Sequence, residues 1–349
     1  MKKHFFIITV LATVFIAGCV RLGNSQPAAV AGIFKSFDQG ENWGTKNLFL
    51  SSGGIGDIAG VGVVTLTFDP QDPRALYLAS AAHGLLYSLD SADSWQQGGI
   101  IAEGRIGAVV IDPSDKCTVY AARNNTVIKT SDCTRTWSEV FIDTRADKTV
   151  TAIAIDHFDS LIIYAANTAG DILKSVDGGG NWRVIERLDN PVRKLLVDPN
   201  DSRILYAATE RRGIFKTISA GADWFDINEN LEKFSGALEF KNLLFDTTQP
   251  DALLLVAKYG LLRTFDGGTT WEAIALITPP TSTDIFATAI SPFNNQEIYY
   301  ATRSTFYKTT DGGQNWVTLR LPSAATPSVL IVDPVNPGIL YMGLVNQPQ

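Results

Sequence analysis

Apolar residues fall in short runs along most of this chain, rich in Val, Ile, Leu and Tyr and broken by Asp-Pro, Gly-Gly and Asn-containing pairs. Runs of this kind, bounded by Gly, Pro and Asp, read as β-strands. No long stretch has the spacing of an amphipathic helix. Residues 228–239 are the best candidate for a helical turn or two.

The pattern repeats. Strand-like runs end at Asp69-Pro70, Asp112-Pro113, Asp156-His157, Asp198-Pro199, Asp246-Thr247, Ser291-Pro292 and Asp333-Pro334. An aliphatic–Tyr pair follows at Leu76-Tyr77, Val119-Tyr120, Ile163-Tyr164, Leu205-Tyr206, Ile298-Tyr299 and Leu340-Tyr341; the copy at Leu254-Leu255 lacks the Tyr. A polar turn, Ser/Thr-x-Asp-x-Gly-x-x-Trp, then closes on Trp43, Trp95, Trp137, Trp182, Trp224, Trp271 and Trp316, which are all 7 tryptophans of the chain. Each unit therefore reads as strand A, a turn, strand B, a loop, strand C, the Trp turn and strand D. A period of about 45 residues matches a four-stranded propeller blade.

The count implies closure. The first Trp turn precedes the first A strand, and the last A–B pair has no Trp turn after it. Pairing 328–345 with 32–50 as one blade closes an all-β, seven-bladed β-propeller of four-stranded antiparallel blades and leaves no sheet edge open. In the Trp turns, Asp38, Asp90, Asp132, Asp177, Asp266 and Asp311 are expected to accept backbone amides, with Gly supplying positive φ. The Trp is expected to open strand D and bury its ring. Ala92 and Thr134 replace the Gly and Ser219 replaces the Asp, so those turns should be less well fixed or differently bonded.

These turns resemble the Asp-box, or BNR repeat, of sialidases and related propellers, and the resemblance runs over nearly all of 32–349. The phrasing is most similar to sortilin-type receptor propellers, xyloglucan-specific glycoside hydrolases and the lipid-anchored assembly factor of photosystem II. The family implies that the Asp-box residues are structural and lie on the rim away from the ligand. It also implies either a protein-binding scaffold or a glycan-processing propeller. Sialidases are six-bladed and carry an Arg-Ile-Pro-like motif near the N-terminus. Arg320-Leu-Pro322 stands at the wrong end for it, so sialidase activity is not expected. The xyloglucan hydrolases set two propellers across a cleft, and this chain holds one. The photosynthetic factor usually has a Gly-Trp phrase in strand B, which is missing here.

The N-terminus reads as an address. Lys2 and Lys3 precede the apolar run 5–17, the length of a signal-peptide core and too short to span a bilayer. Ile16-Ala17-Gly18-Cys19 resembles the lipobox of bacterial lipoproteins. This implies a signal peptide at 1–18, lipidation of Cys19, a tether over 19–31 and a membrane-anchored domain facing the periplasm or the cell exterior. Removing Lys2 and Lys3 deepens the net charge from −7 to −9, and such acidity argues against a nucleic-acid partner. An oxidising compartment favours a Cys117–Cys133 disulfide. With 3 Cys and 3 His in all, neither a metal site nor a cofactor is expected.

A–B and C–D connections should share one face of the ring, D–A and B–C connections the other. The second face is where a ligand is expected. Its B–C loops offer Arg123, Arg212, Lys258 with Tyr259 as a stacking partner, and Arg303; its D–A loops add Arg105, Arg145, Lys148 and Arg193. Convergent cations would suit a protein or glycan partner bearing a carboxylate or sulfate. The competing reading is of solvated loop charges neutralised by Asp147, Asp189, Glu210, Glu239 and Asp284. A glycoside hydrolase would instead use carboxylates such as Asp171 and Asp284. His83 is the one general-base candidate, and no nucleophile stands beside it. The Gly-rich segment 48–62 reads as a cover over the central channel or as an insertion at the closure blade. The reading that results is a monomeric, lipid-anchored binding or assembly scaffold, with a glycan-binding or glycoside hydrolase-like propeller as the alternative.

Overall fold

The computed structural model describes residues 29–99 and 103–346. The signal segment, Cys19 and most of the tether lie outside the described residues. Seven antiparallel sheets of four strands each make up the ring, and a separate two-stranded hairpin is added to them. The first six blades keep the order A–B–C–D along the chain. In the fourth these strands are Val192–Val197, Leu205–Thr209, Ile214–Thr217 and Phe225–Asp226. The seventh blade takes A and B from Thr326–Val332 and Leu340–Val345, and C and D from Gly32–Ser36 and Gly44–Thr45. Ile33 lies opposite Gly343 and Phe34 opposite Met342. The ring is thus a seven-bladed propeller closed by its two chain ends, as the repeat count requires.

Two expectations need correction. The closing D strand stops at Thr45 rather than Leu50, because Leu48–Ser51 pairs with Gly54–Asp57. That hairpin does not cover the channel. Leu50 N donates to Trp95 O and Trp95 N to Leu48 O, so it is pinned beside the outermost strand of the first blade. Residues 228–239 form successive turns, with a single i to i+4 bond from Glu232 N to Asn228 O, and no helix occurs among the described residues.

Strand B is buried almost throughout in each blade, for instance Ile163–Asn167 and Leu205–Thr209. Strand A, which gathers at the axis, mixes buried with half-buried positions in most blades, as in Val63–Phe68 and Ile106–Ile111, and is almost wholly buried in Val150–Ile155 and Ala287–Ile290. Each gap between blades holds an apolar cluster. Ala152, Ala154, Leu195 and Val197 fill the one between the third and fourth blades.

The Trp turns show why the repeat needs its residues. The two positions after the Asp carry positive φ in all seven copies, Gly178 (71°) and Gly179 (94°) among them. Two successive left-handed residues are unfavourable for anything but Gly. Ala92 (68°) and Thr134 (67°) accept that conformation. Contrary to expectation, their turns keep the full bonding. Asp132 accepts Thr136 N at 2.8 Å and the Thr136 hydroxyl at 2.7 Å, as Asp177 accepts Asn181 N at 2.8 Å. The Ser219 turn is differently bonded: Ser219 Oγ accepts Asp223 N at 3.0 Å and meets the Thr217 hydroxyl at 3.3 Å, but it has no second oxygen to hold the Asp223 side chain. The rings are less buried than expected. Trp95 and Trp271 are fully buried and the other five are half-buried. Trp95, Trp182 and Trp316 donate to carbonyls of the preceding blade, at Lys46, Val140 and Ala275.

Candidate functional site

A–B and C–D turns meet on one face in every blade. Cys133 N donates to Cys117 O, Gly178 N to Leu161 O and Gly267 N to Asp251 O. Cys117 and Cys133 are joined as a disulfide at that contact. All the Trp-turn acids lie there, so the D–A and B–C loops occupy the opposite face. The five sequence-derived candidates stand on that second face, spread over four blades. Arg123, at the end of Val119–Arg123, is half-buried and forms no ion pair among the described residues. Arg105 next to it, preceding the paired residue Ile106, forms none either. Arg212 is exposed; it donates to Leu188 O at 2.8 Å and lies 5.6 Å from the Phe215 ring centre. Arg303 stacks over Phe286 at 5.6 Å. Lys258 sits 3.5 Å from Asp284, and Tyr259 meets Phe234 edge-on at 5.1 Å.

The two acids considered for acid–base chemistry are both engaged by cations. Asp284 lies between Lys241 (3.4 Å) and Lys258 (3.5 Å). Burial pushes its carboxyl up, and the two ammoniums more than offset that. Asp171 opens strand C of the third blade, buried, with the Arg187 guanidinium at 3.3 Å and an ion pair to Arg145. The same Arg145 nitrogen holds Asp143 at 2.7 Å, and the Asn167 amide donates to Asp143 at 2.9 Å and to Asp171 at 3.3 Å. The Arg145 hydrogen bond holds the Asp143 carboxyl below its ordinary range. A carboxylate held this way is a poor proton donor.

This acid–arginine cluster, two of whose members (Asp143 and Arg187) the sequence reading did not name, borders a groove of about 310 Å³ between the second and third blades. Phe141, Ile142, Leu173, Trp182 and Val184 line the rest. Its members come from a D–A loop of one repeat and from the B–C loop and the D-strand end of the next. The only hint in the sequence is that Arg145 and Asp171 sit in loops of the same face. His83 is exposed in its loop and bridges to Gly104. Lys148 pairs with Asp147 and Arg193 with Glu210, as the solvated-charge reading expected.

No family model matches the chain. A curated xyloglucanase from Paenibacillus sp. is 27% identical over an alignment covering 36% of this chain and 16% of that protein. Among solved structures, the GH74 xyloglucanase from Xanthomonas campestris superposes with a TM-score of 0.66 at 17% identity, over 81% of this chain and 51% of that one. The structure of YCF48 bound to D1 peptide gives a TM-score of 0.62 at 17% identity, over 83% and 94%. The extracellular domain of BT4673 from B. thetaiotaomicron gives 0.60 at 13%, over 83% and 42%. The chain thus spans about half of the xyloglucanase structure and about a sixth of the curated relative. At these identities the likeness is one of fold.

Proposed function

We propose that this chain is an extracytoplasmic binding propeller, anchored through a lipid on Cys19, that receives an anionic partner on its D–A/B–C face. The observation that carries the reading is a group of guanidiniums on that face that no carboxylate of the described residues engages. Arg105, Arg123 and Arg212 form no ion pair among the described residues, while of the acids on that face Asp143, Asp171, Glu210 and Asp284 are held by Arg or Lys and Glu103, Asp189 and Glu239 are not. Guanidiniums without a carboxylate partner suit bidentate recognition of a carboxylate. The disulfide, and the extracellular setting of the BT4673 domain, support a location outside the cytoplasm. YCF48, whose structure holds a peptide, matches over nearly its whole length and supports a protein partner.

The test is affinity capture from the native envelope with the detergent-solubilised protein, beside a variant carrying Arg123→Ala and Arg212→Ala. Selective loss of a captured acidic protein supports the reading; an identical captured set for both proteins sinks it.

A glycoside hydrolase-like propeller is the second reading, favoured by the xyloglucanase likeness and by the aromatic groove at Phe141 and Trp182. Against acid–base catalysis stands the capture of both candidate carboxylates by cations. Release of reducing ends from xyloglucan, abolished by Asp171→Asn, would favour the enzyme.

A further inference from the structure

In the Trp turns, the residue between the Ser/Thr and the Asp has its direction set by its neighbours. The buried Ser175 hydroxyl accepts Gly179 N at 2.9 Å, and Asp177 accepts Asn181 N at 2.8 Å. The side chain between them faces solvent, and the turn asks nothing of it: Ser131 and Thr310 stand there in two copies. The other five copies carry Phe37, Leu89, Val176, Ile218 and Phe265, all exposed. The A–B turns repeat this. The second residue after the capping Asp or Ser supplies only a backbone amide, as Asn200 N does to Asp198 at 2.7 Å. Phe158, Phe293 and Val335 nevertheless fill that position, and all three are exposed. On the opposite face the D–A and B–C loops, apart from the hairpin 48–57, expose one large apolar residue, Ile277, among the described residues.

Every A–B turn and every Trp turn also holds at least one Asp or Glu, whereas Arg or Lys occurs in four of them, as Arg74, Lys116, Arg135 and Arg203. Arg74 and Arg203 are held by Asp72 and Asp201 of their own turns. The strand C lysines that end at this face give their ammoniums to carbonyls, Lys174 to Ala220 at 2.9 Å and Lys216 to Gly267 at 3.0 Å. Those two bonds set the Trp turns of the third, fourth and fifth blades side by side. Gly178 N, bonded to Leu161 O, joins the A–B turn of Phe158 to them. Phe158, Val176, Ile218 and Phe265 thus lie along one arc, interspersed with the exposed residues Asp159, Asp177, Asp223, Asp251 and Asp266. Exposed apolar groups rimmed by charge mark an interaction surface.

We propose that this arc is a docking surface for a basic amphipathic segment of another protein. Apolar side chains of that segment cover Val176, Ile218 and Phe265, and its Lys or Arg residues meet Asp177, Asp223 and Asp266. The charge selects the occupant. A second copy of this chain would set acid against acid, and an anionic bilayer would be repelled; a cationic amphipathic partner complements both the charge and the apolar groups. The surface lies on the face opposite the loop arginines, so the inference does not rest on the loop-face reading.

The experiment is surface plasmon resonance on the full-length protein, captured by its C-terminus and washed free of detergent. The probe is a Leu/Lys peptide patterned as an amphipathic helix. A peptide of the same composition in scrambled order, and one with Glu in place of Lys, serve for comparison. The ordered Leu/Lys peptide is expected to bind more tightly than either. Val176→Ser, Ile218→Ser and Phe265→Ser together should weaken it about tenfold, as partial burial of three apolar side chains is lost, with an unchanged thermal midpoint. Asp223 and Asp251 make no side-chain hydrogen bond among the described residues. Asp223→Asn with Asp251→Asn should therefore leave the turns intact, weaken binding and lessen its dependence on salt. No binding of the ordered peptide, equal binding of the scrambled one, or equal affinity in the parent and the triple variant overturns the proposal. So does retention of phosphatidylglycerol vesicles, or of the protein itself, that the triple variant loses, since the face would then belong to a bilayer or to a second copy. Because Arg123 and Arg212 are intact in all these proteins, failure here is separable from failure of the loop-face reading.

Discussion

The Lys174 ammonium donates a 2.9 Å hydrogen bond to the carbonyl of Ala220, one blade further round the ring. The contact recurs. Lys35 reaches Ser91 O at 3.0 Å, Lys129 reaches Gly178 O at 3.0 Å and Lys216 reaches Gly267 O at 3.0 Å. Each lysine lies over the strand B tyrosine of its own blade, as Lys129 does over Tyr120 at 5.1 Å, and the Tyr120 hydroxyl donates to the same Gly178 carbonyl at 2.9 Å. Neighbouring blades are therefore held by a polar contact as well as by their apolar clusters. Replacing Lys174 with Met keeps the apolar stem and removes the donor. The expected loss is about 1–2 kcal/mol, read from urea unfolding. A midpoint equal to that of the parent protein would refute this role.

The left-handed pairs in the Trp turns give a graded prediction. Gly178 and Gly268 both have positive φ, 71° and 93°. An added Cβ at Gly178 would meet Leu161 at 3.3 Å, but at Gly268 it would meet Ile227 at 2.4 Å. Alanine at either site costs about 1–2 kcal/mol for the backbone conformation. Gly268→Ala should cost about 1–3 kcal/mol more for overpacking. Equal thermal shifts for the two variants would argue against the steric part.

Acid should loosen the same turns. Hydrogen bonds from Asn42, Thr136, Asn181 and Asn315 hold the carboxyls of Asp38, Asp132, Asp177 and Asp311 at about 2, against an ordinary value of 3.8. Because the folded-state values are depressed, the stabilisation is complete above about pH 4. It is lost as pH falls from there towards 2. The thermal midpoint should drop across that window, and Asp177→Asn should shallow the drop while lowering stability at neutral pH. A parent protein whose midpoint is flat between pH 4 and 2 would contradict this.

Cys117 and Cys133 close a loop with a sequence separation of 16. Chain entropy gives such a crosslink about 3 kcal/mol. The backbone bond from Cys133 N to Cys117 O, present in equivalent form in all seven blades, should keep the turn formed after reduction. Reductant is thus expected to lower the unfolding midpoint without changing the native far-ultraviolet spectrum. A changed native spectrum would mean that the disulfide shapes the blade.

The ring was legible in the sequence because its markers are local. A turn with two consecutive left-handed residues asks for Gly-Gly, and a strand end capped by its own carboxylate asks for Asp, as at Asp198 and Asn200 N. The hairpin 48–57 was not legible, since it occurs once and is placed by its pairing to Trp95, far along the chain. The candidate site was legible as a face and not as a set of contacts. Arg145 binds Asp171 across two repeats, through loops whose lengths follow no period.

The closure of the seventh blade bears on how the protein comes into being. Besides the Ile33–Gly343 pairing, Val30 N donates to Ser323 Oγ, 293 residues away. A polypeptide delivered from its N-terminus presents Gly32–Ser36 first, yet the partner of that strand is made last. Earlier blades can stack in order, but the ring stays a crescent with two unpaired rims until Leu340–Val345 is available. The final joining is the most non-local step in the molecule. Until then the nascent crescent has reason to be shielded from its own copies.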